Sequence, residues 1–549
     1  MSEGIVLAPH QLCSNEKAIE LHPYTTTIPR AATSDFGIAM QKSATATRSH
    51  ARIPWPEWCT LFAYAALVAF AIPYHEPIPD EAQAWQLART LPLTSLFKTF
   101  IRYEASPGLW HFLLWVLVRA HVSYAGLHWI CGAIAVASTA LLVFKSPLPR
   151  YLKLTLPFTY FLVYQYAVVA RSYVLVPALL FMVAIWWKKR PLVVALLLGL
   201  MANATLHAAV ISGGLAAVYV IEQVRSERIE DPANRRTFLL SSLILLSFYL
   251  FAIWTAWPPH DLMNHIAETR RLQSPSTPSF FAKFVVSLCM GICPKPWVLS
   301  IPFWFALAFC LRARHSLFYL LPVLFFAVFC GAVSCGWWHA GLLIPLVTCL
   351  LWVTWPASGI KVGKPEVICR IALVAIIGQQ IVWSASALEF DHFNATSPDL
   401  AASEFLRPLV QKGATIAVTY FNDPYLHAYH SVGILPYFDH IIFLNQPDSF
   451  WSWSSNNPTE QLFKEALPSH PAVVVVEVRL PRPDSPISLM DPTAQILTQA
   501  GYSFTHMFCG TSSIGYIQEE KNCHLIFQRS VPFSYPKRAA PQTAAAAGR

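Results

Sequence analysis

LFAYAALVAFAIPYHEPIPDEAQAW, residues 61–85, runs from an apolar stretch straight into a cluster of charge. Leu61 to Pro73 is almost wholly apolar, and His75, Glu76, Asp80 and Glu81 follow at once. The first half predicts a helix that crosses a bilayer. The second half places paired carboxylates where that helix leaves it. Polar groups are expensive at such a level, so a functional site is the first expectation.

The same apolar texture recurs along the chain. Of its 549 residues, 55% are hydrophobic and 13% charged, too apolar for an ordinary soluble protein. The runs at 238–254, 317–333, 342–355 and 371–383 approach the roughly 20 residues that span a membrane. The chain therefore reads as a polytopic α-helical membrane protein with about 11 transmembrane helices. They are expected near 58–74, 123–144, 154–170, 172–187, 191–206, 208–222, 237–256, 297–311, 316–334, 338–355 and 366–386. Pro107–His121 is too short to span and carries His111, Arg119 and His121, so it is expected to lie along the interface.

The net charge of +9 is spread over small basic clusters between apolar runs, such as KKR at 188–190. No patch interleaves Lys or Arg with aromatics on a soluble surface, which excludes nucleic acid as a partner. With 107–121 interfacial, the clusters at 145–153, 188–190, 225–236, 312–314 and 361–370 share one side with the basic N-terminal tail. That side is the cytoplasm by the positive-inside rule. The expected place is the inner membrane, with the N-terminus cytoplasmic and everything after about residue 387 extracytoplasmic.

Four regions follow. Residues 1–55 are rich in Ala, Ser and Thr without an apolar signal core, and read as a disordered cytoplasmic tail. Residues 56–390 form the membrane domain, with an acidic first outer loop at 74–122. Residues 397–530 alternate short β-branched runs (414–420, 440–444, 472–478, 523–527) with helical patterns near 399–411, 459–467 and 492–500. This predicts a small extracytoplasmic α/β domain, and no glycine-rich phosphate loop occurs in it. Residues 531–549 read as a second disordered tail. Most of the twelve cysteines lie in apolar runs, but Cys509 and Cys523 lie in the polar C-terminal region. They are a disulfide candidate if that region is extracytoplasmic.

Several polar groups converge at the outer level. Asp80, beside the start of the helix in DEAQAWQLART, is either an N-cap or a site acid, with Glu81 in the first turn. Glu104 follows in RYEASPGLW, and Asp80 and Glu104 together could hold a divalent metal, Mg or Mn, or an acceptor hydroxyl. Arg171, in ARSY, is either a phosphate clamp or an interfacial Arg beside a belt Tyr, Tyr173. Asn203 and His207 break an apolar run in NATLHA, and His339 stands among aromatics in GWWHAG. A carboxylate that activates a hydroxyl and a cation at a leaving phosphate suit glycosyl transfer from a lipid-phosphate sugar. A paired-acid transporter or flippase of lipid-linked glycans is the alternative, but such a carrier wants its charges near the midplane. A non-catalytic membrane subunit that binds a partner through the C-terminal domain is the third.

YHEPIPDEAQAWQLAR, RYEASPGLW and YQYAVVARSYVL resemble bacterial members of the C-type glycosyltransferase superfamily, akin to protein O-mannosyltransferases and lipid A aminoarabinose transferases. The resemblance covers residues 58–225 and, more weakly, GWWHAGLL and GILPYFDHIIF. It implies a polyprenyl-phosphate sugar donor and transfer to a protein, lipid or glycan acceptor outside the cytoplasm. By this resemblance Asp80 looks like the catalytic base, Glu81 and Glu104 like its companion acids. Arg171, Tyr173 and His339 are the donor-phosphate candidates, with His207 and Asn203 behind them. The chain departs from the group in carrying Pro79 and Trp338 where Arg is frequent, and Ser106 where His is frequent.

Overall fold

A computed structural model describes residues 54–104, 106–225, 231–262, 279–293, 295–333, 335–356, 363–420, 432–451, 459–480, 492–514 and 518–529. Both expected disordered tails lie outside the described residues, apart from Pro54 and Trp55.

The membrane domain runs α1 Trp55–Ala71, α2 Pro79–Thr90, α3 Leu109–Arg119, α4 Tyr124–Lys145, α5 Leu175–Trp186 and α6 Pro191–Ala202. It continues through α7 Leu206–Arg225, α8 Pro232–Ala256, α9 Phe280–Met290, α10 Ser300–Ala313, α11 Leu321–Ala332, α12 Leu343–Thr354 and α13 Lys364–Phe393. Among the described residues, six segments are long and apolar enough to cross a membrane: Trp55–Tyr74, Tyr124–Lys145, Leu206–Arg225, Pro232–Ala256, Trp337–Thr354 and Lys364–Phe393. The remaining apolar helices are shorter. α8 exposes Leu239, Leu243, Leu246 and Leu250, a helical stripe left open among the described residues that suits lipid. α12 is buried from Leu343 through Trp352 and forms the centre of the bundle.

α3 measures about 16 Å at 1.5 Å per residue, half of what a span requires. It is pinned to α2 instead. Arg119 donates to the carbonyls of Ala88 (2.7 Å) and Leu91 (3.2 Å) and stacks over Trp115. α9, inside the loop expected at 257–296, is a helix the sequence did not announce.

The regular helix expected over 154–170 is in fact broken. A short helix Arg150–Thr155 gives way to a 3-10 turn at Leu156–Phe158 and a wide turn at Phe161–Gln165, and residues 166–171 are irregular. Pro157 supplies no N–H, and the Thr159 hydroxyl bonds back to the Leu156 carbonyl, so the helical ladder is interrupted here. Residues 165–170 are buried throughout. Irregular backbone at membrane depth survives only inside protein or along a cavity. The break delivers Arg171 and the Ala170 N–H to the site described below.

The antiparallel course separates the polar groups into two ends. At one end Glu57 pairs with Arg150 and Lys153, and Glu366 with Arg314 and Arg370. Asp80, Arg171, His207 and His339 gather at the other.

After α13 come α14 Asp399–Gln411, β1 Ile416–Tyr420, α15 Thr459–Ala466, β2 Val473–Leu480, α16 Pro492–Gln499, β3 Tyr502–Ile514 and β4 Gln518–Arg529. The sheet order is β1-β2-β4-β3, with β1 and β2 parallel and the other pairs antiparallel. Among the described residues, the strand expected at 440–444 makes one bridge, Phe443 to Ile416. β3, a long strand, was not expected. Cys509 and Cys523 face each other across β3 and β4 and are joined as a disulfide.

Candidate active site

α2 begins at Pro79, with Ile78 as its N-cap. Asp80 is therefore not the capping residue. That task falls to Glu81, whose Oε2 accepts from the Ile78 N–H at 2.8 Å. Glu81 is a correction to the sequence expectation of place: it is 1% exposed rather than presented with Asp80 at the surface. Its oxygens also meet His75 Nε2 (3.2 Å), His128 Nε2 (3.1 Å) and the Ala170 N–H. His75 is held from its other nitrogen by Asp391 Oδ2 (3.2 Å), which also accepts from the Tyr164 hydroxyl (2.6 Å). This buried network ties α2, α4, the broken segment and the end of α13 into one block.

Burial opposes charge on both groups, yet the pairing overrides it. Burial pushes Glu81 up, but His75 and His128 hold it well below the carboxylate range. Burial pulls His75 down, while Glu81 and Asp391 raise it to about 10. Glu81 is thus a fixed anion beneath the site.

One residue earlier, Asp80 points the other way. Its Oδ2 lies 3.0 Å from Arg171 Nη1, and both side chains keep partial access to solvent. The Arg171 guanidinium lies over the Tyr173 ring (5.3 Å) and the Trp338 ring (5.7 Å), which fixes its plane. The Trp338 carbonyl is held in turn by the Tyr166 hydroxyl (2.6 Å). Trp338 thus presents an aromatic face to the Arg171 guanidinium.

Glu104 approaches from the segment before α3. Its Oε1 accepts from Gln83 Nε2 at 2.9 Å, and the adjacent Tyr103 hydroxyl donates to Asp261 (3.0 Å). Burial raises the Glu104 carboxyl to about 7. The charge of Asp80 adds to the rise, while Gln83 and Arg171 oppose it. Gln83 also exchanges hydrogen bonds with the Trp451 backbone, its amide donating at 3.0 Å and its carbonyl accepting at 3.0 Å. The C-terminal domain thereby reaches the acid loop. Arg89 of α2 likewise donates to the carbonyls of Phe438 (2.7 Å) and Leu435 (3.3 Å).

His339 stands against Tyr173 (5.7 Å between centroids) and stacks on His207 (3.7 Å, 13°). Its Nδ1 accepts from the Gly336 N–H at 2.9 Å. Asp80, Arg171, Tyr173, His339 and His207 therefore form one chain of contacts from four separate stretches of sequence. Asn203 stands apart. Its amide donates to the carbonyls of Gly199 and Phe248, and its own carbonyl takes the first N–H of α3. It is a joint between helices.

Gln83, His128, Asp391 and Trp451 were not singled out from sequence. Of these only His128, a lone imidazole within an apolar helix, carries a local cue.

Two solved structures align with most of the chain. Both are of ArnT from Cupriavidus metallidurans. The crystal structure bound to undecaprenyl phosphate aligns with 87% of this chain and 98% of its own, at 11% identity and a TM-score of 0.47. The apo structure aligns with 85% and 97%, at 11% identity and a TM-score of 0.44. At these values the likeness does not reach residues or activity. No family model matches the chain, and no curated protein matches it.

Proposed function

We propose that this chain is a membrane glycosyltransferase that moves a sugar from a polyprenyl-phosphate donor to an extracytoplasmic acceptor. The observation that carries the reading is the half-open Asp80–Arg171 pair at the membrane exit. A carboxylate and a guanidinium meet there, backed on one side by aromatic rings and on the other by a buried anion.

The donor phosphate takes Asp80's place at Arg171, whose planar fork suits a phosphate bidentately. Asp80, released, accepts the proton of the acceptor hydroxyl as its oxygen attacks the anomeric carbon. The bond from that carbon to the phosphate oxygen breaks, and the lipid phosphate leaves with the electron pair, its charge met by Arg171. Glu104, near neutral in its proton affinity, takes up the proton next. An apolar groove of about 500 Å³, lined by Phe97, Gly108, Phe112, Leu200, Phe248 and Trp254, suits a prenyl tail. Asp80, once released from Arg171, and Glu104, bonded through one oxygen to Gln83, are the carboxylates that would hold the expected divalent metal, which would help to meet the charge on the leaving phosphate. No step is routed through a metal here.

The test uses full-length protein in nanodiscs and a panel of radiolabelled polyprenyl-phosphate sugars. Asp80→Asn is expected to lower transfer by about 10²–10⁴-fold while the protein stays folded and still binds donor. Full transfer by that variant removes Asp80 as base. Folded wild type that binds no donor overturns the reading.

A further inference from the structure

Beside the Arg171 chain of contacts lies a second cluster that the proposed transfer does not use. A ring nitrogen of His207, at the start of α7, and the thiols of Cys330, in α11, and Cys335, just beyond it, all lie within 4.8 Å of one another. Cys330 is fully buried and His207 is 8% exposed. The Cys330 thiol interacts with both Cys335 and His207. Cys509 and Cys523 are joined as a disulfide, whereas Cys330 and Cys335 are separate thiols.

We propose that His207, Cys330 and Cys335 bind one soft divalent cation of the zinc class. Three arguments converge. Two thiolates and one neutral imidazole around a doubly positive ion sum to zero charge, the state that costs least in an apolar surrounding. Sulfur and imidazole are the donors that zinc prefers, and ligand atoms within 4.8 Å of one another need to close by at most about 1.5 Å to reach the roughly 3.3–3.8 Å separation of donors about 2.0–2.3 Å from a tetrahedral centre. The third donor comes from a different helix. A simple thiol pair has no use for an imidazole aimed at it from α7. Binding releases the two thiol protons. The second cluster of potential ligands, His75, Glu81 and His128, is different: there the carboxylate already takes two backbone N–H groups and both imidazoles.

The cation would clamp α7 to the turn after α11. That turn runs directly into Trp338 and His339. Trp338 lies against Arg171, and His339 stacks on His207. The site is therefore a positioning device for one wall of the Arg171 pocket, chemically distinct from the carboxylates.

The experiment needs no transfer activity. Full-length protein is purified in detergent under reducing conditions, loaded with zinc, desalted and analysed for metal by mass spectrometry. A parallel sample is loaded with cobalt. One equivalent of zinc per chain is expected, with a thiolate-to-cobalt charge-transfer absorption in the near ultraviolet. Cys335→Ser, at the more exposed ligand, loses both, while Asp80→Asn with Glu104→Gln retains both. Wild-type protein without stoichiometric metal or the cobalt absorption overturns the proposal. So does a Cys330–Cys335 disulfide found by peptide mapping, or metal that is lost from the carboxylate variant and kept by Cys335→Ser.

Discussion

Asp80 and Glu81 are neighbours with opposite fates, and the difference is one of helix position. Asp80 turns toward Arg171 and solvent, while Glu81 turns back to close the helix start and is sealed there. Removing Glu81 leaves a buried imidazolium, a second imidazole and two backbone N–H groups without their acceptor. Glu81→Ala is expected to cost about 3–5 kcal/mol, read as a lowered melting temperature in detergent. An unchanged melting temperature would show that the network does not hold the block together. Glu104 gives a prediction in pH. Its folded-state value of about 7 lies above the ordinary 4.5, so its ionisation weakens the fold. Its contribution to stability is fully present below 4.5 and is lost as pH rises through 7. Glu104→Gln should therefore melt higher than wild type at pH 8 and alike at pH 4. Because the proposed relay needs Glu104 ionised, kcat/KM should rise through about pH 7 in wild type, and this limb should vanish in the variant. Asp80, Arg171, Tyr173, His207 and His339 were legible in the sequence because each is polar or aromatic at a break between apolar runs. The burial of Glu81 was not, because its partners lie as far away as residues 128 and 391.

At the scale of elements, apolar runs located most helices to within a few residues, since lipid and core both demand them. The break at 156–171 escaped because LPFTYFLVYQYAVVA is apolar or aromatic but for Thr159 and Gln165. Only Pro157 hints that the ladder fails, and a single proline is tolerated in many membrane helices. β3 escaped for the converse reason. YSFTHMFCGTSSI is poor in β-branched apolar residues and gains its order from pairing along β4. HIIFL has the composition of a strand and, among the described residues, pairs with β1 through a single bridge. Where elements meet closely, a single residue decides the spacing. A Cβ on Gly214 would lie 2.3 Å from the Pro322 Cα, so α7 and α11 touch backbone to backbone. Gly214→Ala should push these helices apart at a cost of about 1–3 kcal/mol. Gly378, in α13, where the added methyl meets nothing within 4 Å, is the control, and Gly378→Ala should be neutral or stabilising. Equal melting of the two variants would mean that the α7–α11 contact relaxes without cost.

At the scale of the whole molecule, the C-terminal domain closes over the acid loop. Its grip is made of backbone carbonyls and amides: Arg89 to residues 435 and 438, Gln83 to residue 451, and Glu76 to the Ser397 N–H. Bonds of this kind leave no mark in a sequence. The change of texture after about residue 390 could be read from composition, and the bonds across it could not. The consequence is that Gln83 serves two masters. It positions Glu104 and also receives the Trp451 N–H, so loosening the domain should disturb the acid. Arg89→Ala tests this away from the reacting groups. It removes two charge-assisted hydrogen bonds, each worth about 1.5–3 kcal/mol, from the far end of α2. Hydrogen exchange in the peptide that holds Trp451 should quicken several-fold, since its amide depends on the docked position. In the same variant the pH limb assigned to Glu104 should shift, because Gln83 no longer holds one geometry and its opposition to the raised value weakens. Burial and Asp80 then dominate, and the limb should move to higher pH. Faster exchange with an unmoved limb would separate domain docking from the acid and make the C-terminal domain a cover alone. A limb that moves together with the exchange rate would make it part of the site's proton balance.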